Sequence, residues 1–317
     1  MTSTDTQPAP EARTTAPDYD AILFASFGGP EGQEDVLPFL RNVTRGRGIP
    51  DERLEEVAGH YRALGGKSPI NDQNKAMIAA LEGELAARGV DLPVYFGNRN
   101  WEPYTTDVVA RIHADGHRRV LGLVTSAYSS YSGCRQYRED FGKALLENDL
   151  LGTLTIDKIR VYFGHPGFLE PVRDGVRSAI AELAADGHTP DRIRVLFSTH
   201  SVPDTMAEAS GPEETRRPGS GGWYVDQHLA ACRWVMEQLG EDTPGGEGDG
   251  AAALPAWELV YQSRSGPPQV PWLEPDVNDV IEQLAEGGTA DAVVVVPIGF
   301  VTDHVEVIWD LDTEAKE

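Results

Sequence analysis

Two short segments about a hundred residues apart hold the residue types most able to do chemistry. Leu196-Phe197-Ser198-Thr199-His200-Ser201-Val202-Pro203 opens as an apolar β-type run and breaks into hydroxyls and an imidazole. Pro297-Ile298-Gly299-Phe300-Val301-Thr302-Asp303-His304-Val305-Glu306 breaks in the same way into carboxylates and a second imidazole. In open α/β sheets, ligands bind where strands end. A histidine at one strand end and a glutamate at another can share a divalent metal and also move protons. A core histidine bonded to backbone is the competing reading of His200. The hydroxyls of Ser198, Thr199 and Ser201 around it shift the balance toward a site.

Past that point Asp303, His304, Glu306, Asp310, Asp312 and Glu314 form a dense ionisable series. As a helix, Asp303, Glu306, Asp310 and Glu314 fall at steps of three and four and line one face, with Val305, Ile308 and Leu311 turned to the core. Like charges at that spacing repel by ~0.2–0.5 kcal/mol per exposed pair. The series reads either as a solvated acidic face or as a carboxylate path for hydrated cations or protons. Tyr128, Tyr131 and Tyr137 stand among Ser126, Ser129, Ser130 and Ser132, either as an ordinary polar loop or as one wall of a pocket for a flat aromatic ligand. Arg45 and Arg47 are surface arginines or bidentate holders of carboxylates. Cys134 and Cys232 are the only cysteines, too few for a disulfide framework or a four-thiolate cluster.

These residues must be positioned by the elements between them. Strand patterns fall at Ala21–Phe27, Pro93–Phe96, Val120–Ser126, Ile159–Tyr162, Arg194–Thr199, Glu258–Gln262 and Ala292–Pro297. Helical patterns fall at Glu34–Asn42, Asp51–Leu64, Asp72–Arg88, Pro103–Asp115, Arg135–Asn148, Leu169–Asp186, Tyr224–Leu239 and Val277–Glu286. Apolar strands alternating with helices predict parallel sheets covered on both faces. The rhythm runs twice, with a switch near residues 163–168. The expected fold is therefore α/β, with two similar Rossmann-like halves at 20–165 and 166–317 and a cleft between them. A Thr/Pro/Ala-rich tail at 1–19 and the stretches 211–222 and 240–254 are expected to lack fixed structure. No glycine-rich dinucleotide or phosphate motif follows the first strand. The chain stops inside an amphipathic pattern, at Asp312-Thr313-Glu314-Ala315-Lys316-Glu317, without a glycine or proline stop, so the second half is expected to be truncated.

The net charge of -24 argues against nucleic acid or an anionic membrane surface as partner. No apolar run reaches the ~18 residues that cross a bilayer, and the start carries no signal-peptide pattern. A cytoplasmic protein, monomeric by default, is expected.

Seven ordered blocks then carry a family likeness. They are Ser26-Phe27-Gly28-Gly29-Pro30, Thr44-Arg45-Gly46-Arg47, Tyr61 to Ile70, Ser129 to Tyr137, Phe197 to Pro203, Tyr261 to Pro267 and Gly299 to Glu306. From Ala21 onward the chain resembles the ferrochelatases, above all the actinobacterial coproporphyrin ferrochelatases. The resemblance implies Fe²⁺ insertion into a porphyrin during haem synthesis, with Fe²⁺ as a substrate. Protoporphyrin IX as the ring, another tetrapyrrole chelatase, and a non-catalytic porphyrin-binding fragment remain alternatives. By resemblance, His200 and Glu306 are the catalytic and metal-site pair. Ser68 and Tyr137 match porphyrin-contacting positions, and Tyr61 and Arg45 lie in segments lining the same cleft. Phe27 stands where some relatives carry an iron-facing tyrosine, which removes an axial oxygen. Asp310 and Glu314 match a carboxylate path leading out from Glu306, and Asp303 lies beside it. Actinobacterial members also carry a [2Fe–2S] cluster. Cys134 matches one ligand, and the other three would lie beyond Glu317, so a cluster is implied only for a longer chain.

Overall fold

The computed structural model describes residues 18–241, 253–266 and 269–316. The tail at 1–17 and most of the 240–254 stretch lie outside the described residues.

The first sheet has strands β1 (Ala21–Ser26), β2 (Val94–Asn98), β3 (Arg119–Val124) and β4 (Thr155–Lys158) in the order β2-β1-β3-β4, all parallel. β1 is buried along its whole length. A strand flanked by neighbours and covered on both faces reads as an unbroken apolar run, which is what Ala-Ile-Leu-Phe-Ala supplies. Helices α1 (Val36–Val43), α2 (Asp51–Ala63) and α3 (Ile70–Ala87) stand between β1 and β2. α4 (Thr105–Ala114) follows β2, and α5 (Gln136–Glu147) follows β3.

The second sheet has β5 (Ile193–His200), β6 (Ala256–Gln262) and β7 (Ala292–Val296) in the order β6-β5-β7, again parallel. Its helices are α6 (Pro166–Ala185), α7 (Asp204–Glu208), α8 (Gly222–Glu241), α9 (Val277–Gly287) and α10 (Val305–Ile308). Local chemistry sets several ends. Pro166 opens α6, where a missing N–H is harmless. Asp276 caps α9 by accepting from the Asn278 N–H, and Gly288 closes it at φ 56°. The central strand of each sheet pairs with both neighbours, and β5 runs on past β7 to pair its last residues, Ser198 to His200, with β6 alone.

Three sequence expectations are corrected. The fourth strand is Thr155–Lys158, not Ile159–Tyr162. It is an edge strand, and an edge tolerates the polar Thr-Ile-Asp-Lys pattern that conceals it. Stretch 211–222 carries a short 3₁₀ turn at Glu213–Thr215. The acidic helix is not continuous. His304 accepts the Val307 N–H as its N-cap, α10 runs only to Ile308, and Trp309–Glu314 opens into a π turn. The residues buried there are Val305 and Val307, with Ile308 and Leu311 only half-buried.

Candidate active site

The strand ends of the second sheet gather the polar groups. Ser198, Thr199, Ser201 and Gln262 are buried there, and His200 is half-buried. The His200 Nδ1 meets the carbonyl of Ser201. A carbonyl only accepts, so Nδ1 carries a proton, and in the neutral ring Nε2 keeps a lone pair. That lone pair can take a proton or a metal. The peptide carbonyl of His200 accepts the Tyr224 hydroxyl at 2.8 Å.

Glu306 is exposed in the first turn of α10. Burial pushes the Tyr61 hydroxyl well above its ordinary value, and the Glu306 charge adds to the shift. Burial holds His304 toward the neutral form; Glu306 and Asp303 oppose this, and His200 reinforces it. His200, His304, Glu306 and Tyr61 therefore share one neighbourhood, drawn from both sheets' sides of the molecule. Tyr61, Phe39 and Val305 belong to one apolar cluster, so α1 and α2 pack on the start of α10. His60 of α2 stacks on Trp309 with ring centroids 4.1 Å apart.

Asp310 accepts from the Gln262 amide at 3.2 Å and from the Ser263 hydroxyl. Ser263 reaches it from φ 61°, a left-handed conformation that is strained for a non-glycine residue. Burial pushes the Asp310 carboxyl up to about 6, with Glu306 and Glu314 acting in the same sense and the two hydrogen bonds opposing. A carboxyl titrating there is suited to exchanging protons near neutral pH. Glu314, exposed, accepts the Trp309 indole N–H at 2.7 Å. Asp303 is clasped by Gln73 of α3. The amide donates to the carboxylate at 2.8 Å and its oxygen accepts the Asp303 N–H at 2.8 Å.

The other expected residues lie on the first sheet's side. Phe27, 38% exposed at the end of β1, packs edge-on against Phe39. Ser68 is buried against Gly29, where a Cβ would come within 2.7 Å of the Ser68 Cβ. Tyr137 is buried under the Arg99 guanidinium, 4.2 Å above its ring, and Arg99 is anchored by Asp140 at 2.6 Å. Arg45 is exposed and lines a cavity of about 410 Å³ with Asn42, Asn98, Arg99 and Tyr104. Cys134 is half-buried in a π turn at Tyr131–Arg135, and Cys232 is buried in the core. One accessible thiol does not fit a cluster that takes four thiolates. Among the described residues, no three His, Cys, Asp or Glu side chains form a ready-made metal cage.

Sequence reasoning missed Gln73, Arg99, Gln262 and Trp309. Each acts across more than 30 positions or through a ring contact, which no local pattern encodes. It also missed Tyr224 and His228 behind Thr199, although their i, i+4 spacing on a helix facing β5 was a readable sign.

The molecule is thus a parallel α/β protein that collects imidazoles and carboxylates at the strand ends of one sheet and faces them with aromatic helices from the other. A sequence model of the ferrochelatase family matches residues 19–317. The chain belongs to the ferrochelatase family. It is 57% identical over 306 residues to the "Coproporphyrin III ferrochelatase" of Leifsonia xyli, covering 94% of this chain and 76% of that protein. It is 55% identical to the protein of that name from Streptomyces coelicolor, with the same coverages. A Rhodopirellula baltica protein named "Ferrochelatase" is 46% identical over 95% of this chain and 78% of its own length.

Proposed function

We propose that the protein inserts Fe²⁺ into coproporphyrin III, giving Fe-coproporphyrin III for haem synthesis. The observation that carries the reading is the shared neighbourhood of His200, His304 and Glu306, with the His200 Nε2 left as an acceptor. The ring is assigned by the relatives named for it.

Insertion releases two pyrrole protons and exchanges the water shell of Fe²⁺ for four nitrogens. A planar ring resists, because its N–H groups point inward. Gripping it between the halves 20–165 and 166–317 uses binding energy to buckle it and turn nitrogen lone pairs outward. Phe27, Tyr61, Ser68, Tyr137 and Arg45 belong to the ring-binding side. His200 and Glu306 act on one face, delivering Fe²⁺ and accepting pyrrole protons, and Asp303, Asp310 and Glu314 lead protons or hydrated iron between the site and solvent. Asp310, titrating at about 6, passes protons outward without trapping them. Phe27 offers no oxygen to iron, so iron in the product must find another ligand or water.

No helix among the described residues is long and apolar enough to cross a membrane. A monomeric cytoplasmic enzyme acting on a soluble tetra-acid fits these features. A [2Fe–2S] cluster would require a longer chain, with Cys134 as one ligand.

Anaerobic mixing with Fe²⁺ and coproporphyrin III, followed by the ring's visible spectrum, tests the reading beside protoporphyrin IX and His200→Ala. Metallation of coproporphyrin that the variant loses is the expected result. Near-wild-type turnover by His200→Ala would overturn the assignment. Preferential metallation of protoporphyrin would overturn the substrate.

A further inference from the structure

The imidazole of His228 is 1% exposed inside α8, and the proposed reaction does not use it. Its Nδ1 lies 2.6 Å from the Tyr224 carbonyl, one turn back. Its Nε2 lies 3.0 Å from Thr199 Oγ1, and its ring stacks on Tyr128 with centroids 3.6 Å apart. Thr199 Oγ1 also lies 3.0 Å from the Tyr224 hydroxyl, which donates to the His200 carbonyl at 2.8 Å. On the other side, the Tyr128 hydroxyl donates to the Ile298 carbonyl at 3.0 Å, ahead of the segment that bears His304 and Glu306. Gln227, next in the helix, is joined to Ser129 by two hydrogen bonds of 2.8 and 2.9 Å.

Proton bookkeeping gives this array a direction. The Tyr224 carbonyl can only accept, so Nδ1 bears the proton. Burial keeps the ring neutral, which leaves Nε2 an acceptor for the Thr199 hydroxyl. The Tyr224 hydroxyl has one proton, which it gives to the His200 carbonyl, so its 3.0 Å approach to Thr199 is a packing contact rather than a link in the hydrogen-bond chain. β6 holds the end of β5 from within the sheet, pairing His200 with Gln262. The His228 array holds Thr199 and His200 from the helix side. An apolar side chain would fill this space without needing a hydrogen-bond partner, so a polar ring here points to orientation rather than stability.

We propose that His228 is a positioning residue for His200. Through Thr199 and Tyr224 it fixes the peptide carrying the His200 imidazole. Through Tyr128 it ties that peptide to the facing loop of the first sheet. The inference rests on the role of His200 given above.

The test compares His228→Gln, His228→Asn, His228→Leu and Thr199→Val, measuring kcat, the KM for each substrate and the thermal midpoint. Gln can place an amide oxygen where Nε2 accepts, Asn is one methylene too short, and Leu only fills space. The Asn, Leu and Thr199→Val proteins should lose about 10- to 100-fold in kcat, with the coproporphyrin KM within about twofold of wild type. Gln should stay within about threefold of wild type. Full kcat in the Leu protein, a loss that falls on the porphyrin KM, or a ranking that follows thermal midpoint rather than acceptor chemistry would overturn the proposal. If His228→Leu fails to fold, Thr199→Val breaks the same contact from the other side, and its kcat decides. An inactive wild type would overturn the reading of His200 itself, whereas an active wild type beside an equally active Leu protein overturns only the positioning role.

Discussion

Replacing Asp310 by Asn should stabilise the protein at neutral pH and leave it unchanged near pH 4. The native carboxyl titrates at about 6 because burial opposes its charge, Glu306 and Glu314 add to the cost, and the Ser263 and Gln262 bonds only partly compensate. An unfolded chain releases this proton near its ordinary value of 3.8. Between the two values the unfolded state holds fewer protons than the native state, so stability falls as pH rises through that window. Above it the cost is complete. About two pH units at ~1.4 kcal/mol each sets an upper figure of ~3 kcal/mol, and partial solvent access lowers it to ~1–3 kcal/mol. Asparagine keeps an oxygen for both hydrogen bonds and drops the charge. Urea unfolding of both proteins at pH 7.5 and pH 4 is the assay, with slopes compared to exclude a change in the unfolded state. A gain of ~1–3 kcal/mol at pH 7.5 that vanishes at pH 4 is expected. The same gain at both pH values, or a loss at pH 7.5, would refute the account of a buried, charge-penalised carboxyl. The variant should also turn over more slowly, because the group meant to exchange protons no longer can.

His228 has the opposite pH signature. Burial depresses its value from 6.5 to about 4, so its contribution is full above the upper figure and is lost as pH falls toward the lower one. His228→Gln should flatten the acid side of the stability profile, and Asp310→Asn should steepen it, as read from urea midpoints between pH 4 and 7. Gln73→Ala removes both bonds to Asp303, one of them to a charge; a loss of ~1–3 kcal/mol and a raised KM for Fe²⁺ are expected, with the KM for the ring unchanged. Gly299→Ala would drive a Cβ into Thr199, backbone included, and should displace the end of β5, costing ~1–3 kcal/mol and most of the activity. A soluble, fully active Gly299→Ala protein would show that this strand end tolerates movement.

Much of the fold was legible because each sheet is built on buried apolar strands. Ala21–Ala25 and Val195–Phe197 announce themselves as unbroken apolar runs, and the helices between them carry periodic patterns and recognisable caps. β4 was misplaced because an edge strand lacks that signal, and sequence offers no other. At the site, His200 and the 303–306 segment stood out because ionisable residues directly follow apolar ones. Their surroundings did not. Gln73 meets Asp303 across 230 positions, and His60 meets Trp309 only through ring stacking. Such contacts depend on how α2 and α3 lie against the second sheet's end, which is a property of the assembled molecule. The acidic series was read as an α-helical face because spacing alone cannot reveal a change of helical register.

That change has a consequence for how the segment can vary. The turn at Trp309–Glu314 holds one residue more than an α turn would. Removing any single residue there would let the helix continue in ordinary register and would leave composition and charge pattern nearly intact. Positions after the deletion would keep their faces, because the wider turn already absorbs the extra residue, and a residue lost between them would leave Glu314 four rather than five positions from Trp309, still on its side of the helix. Chain length in this stretch is therefore negotiable by one residue, because losing it exchanges the π turn for an α turn without turning the following side chains to another face.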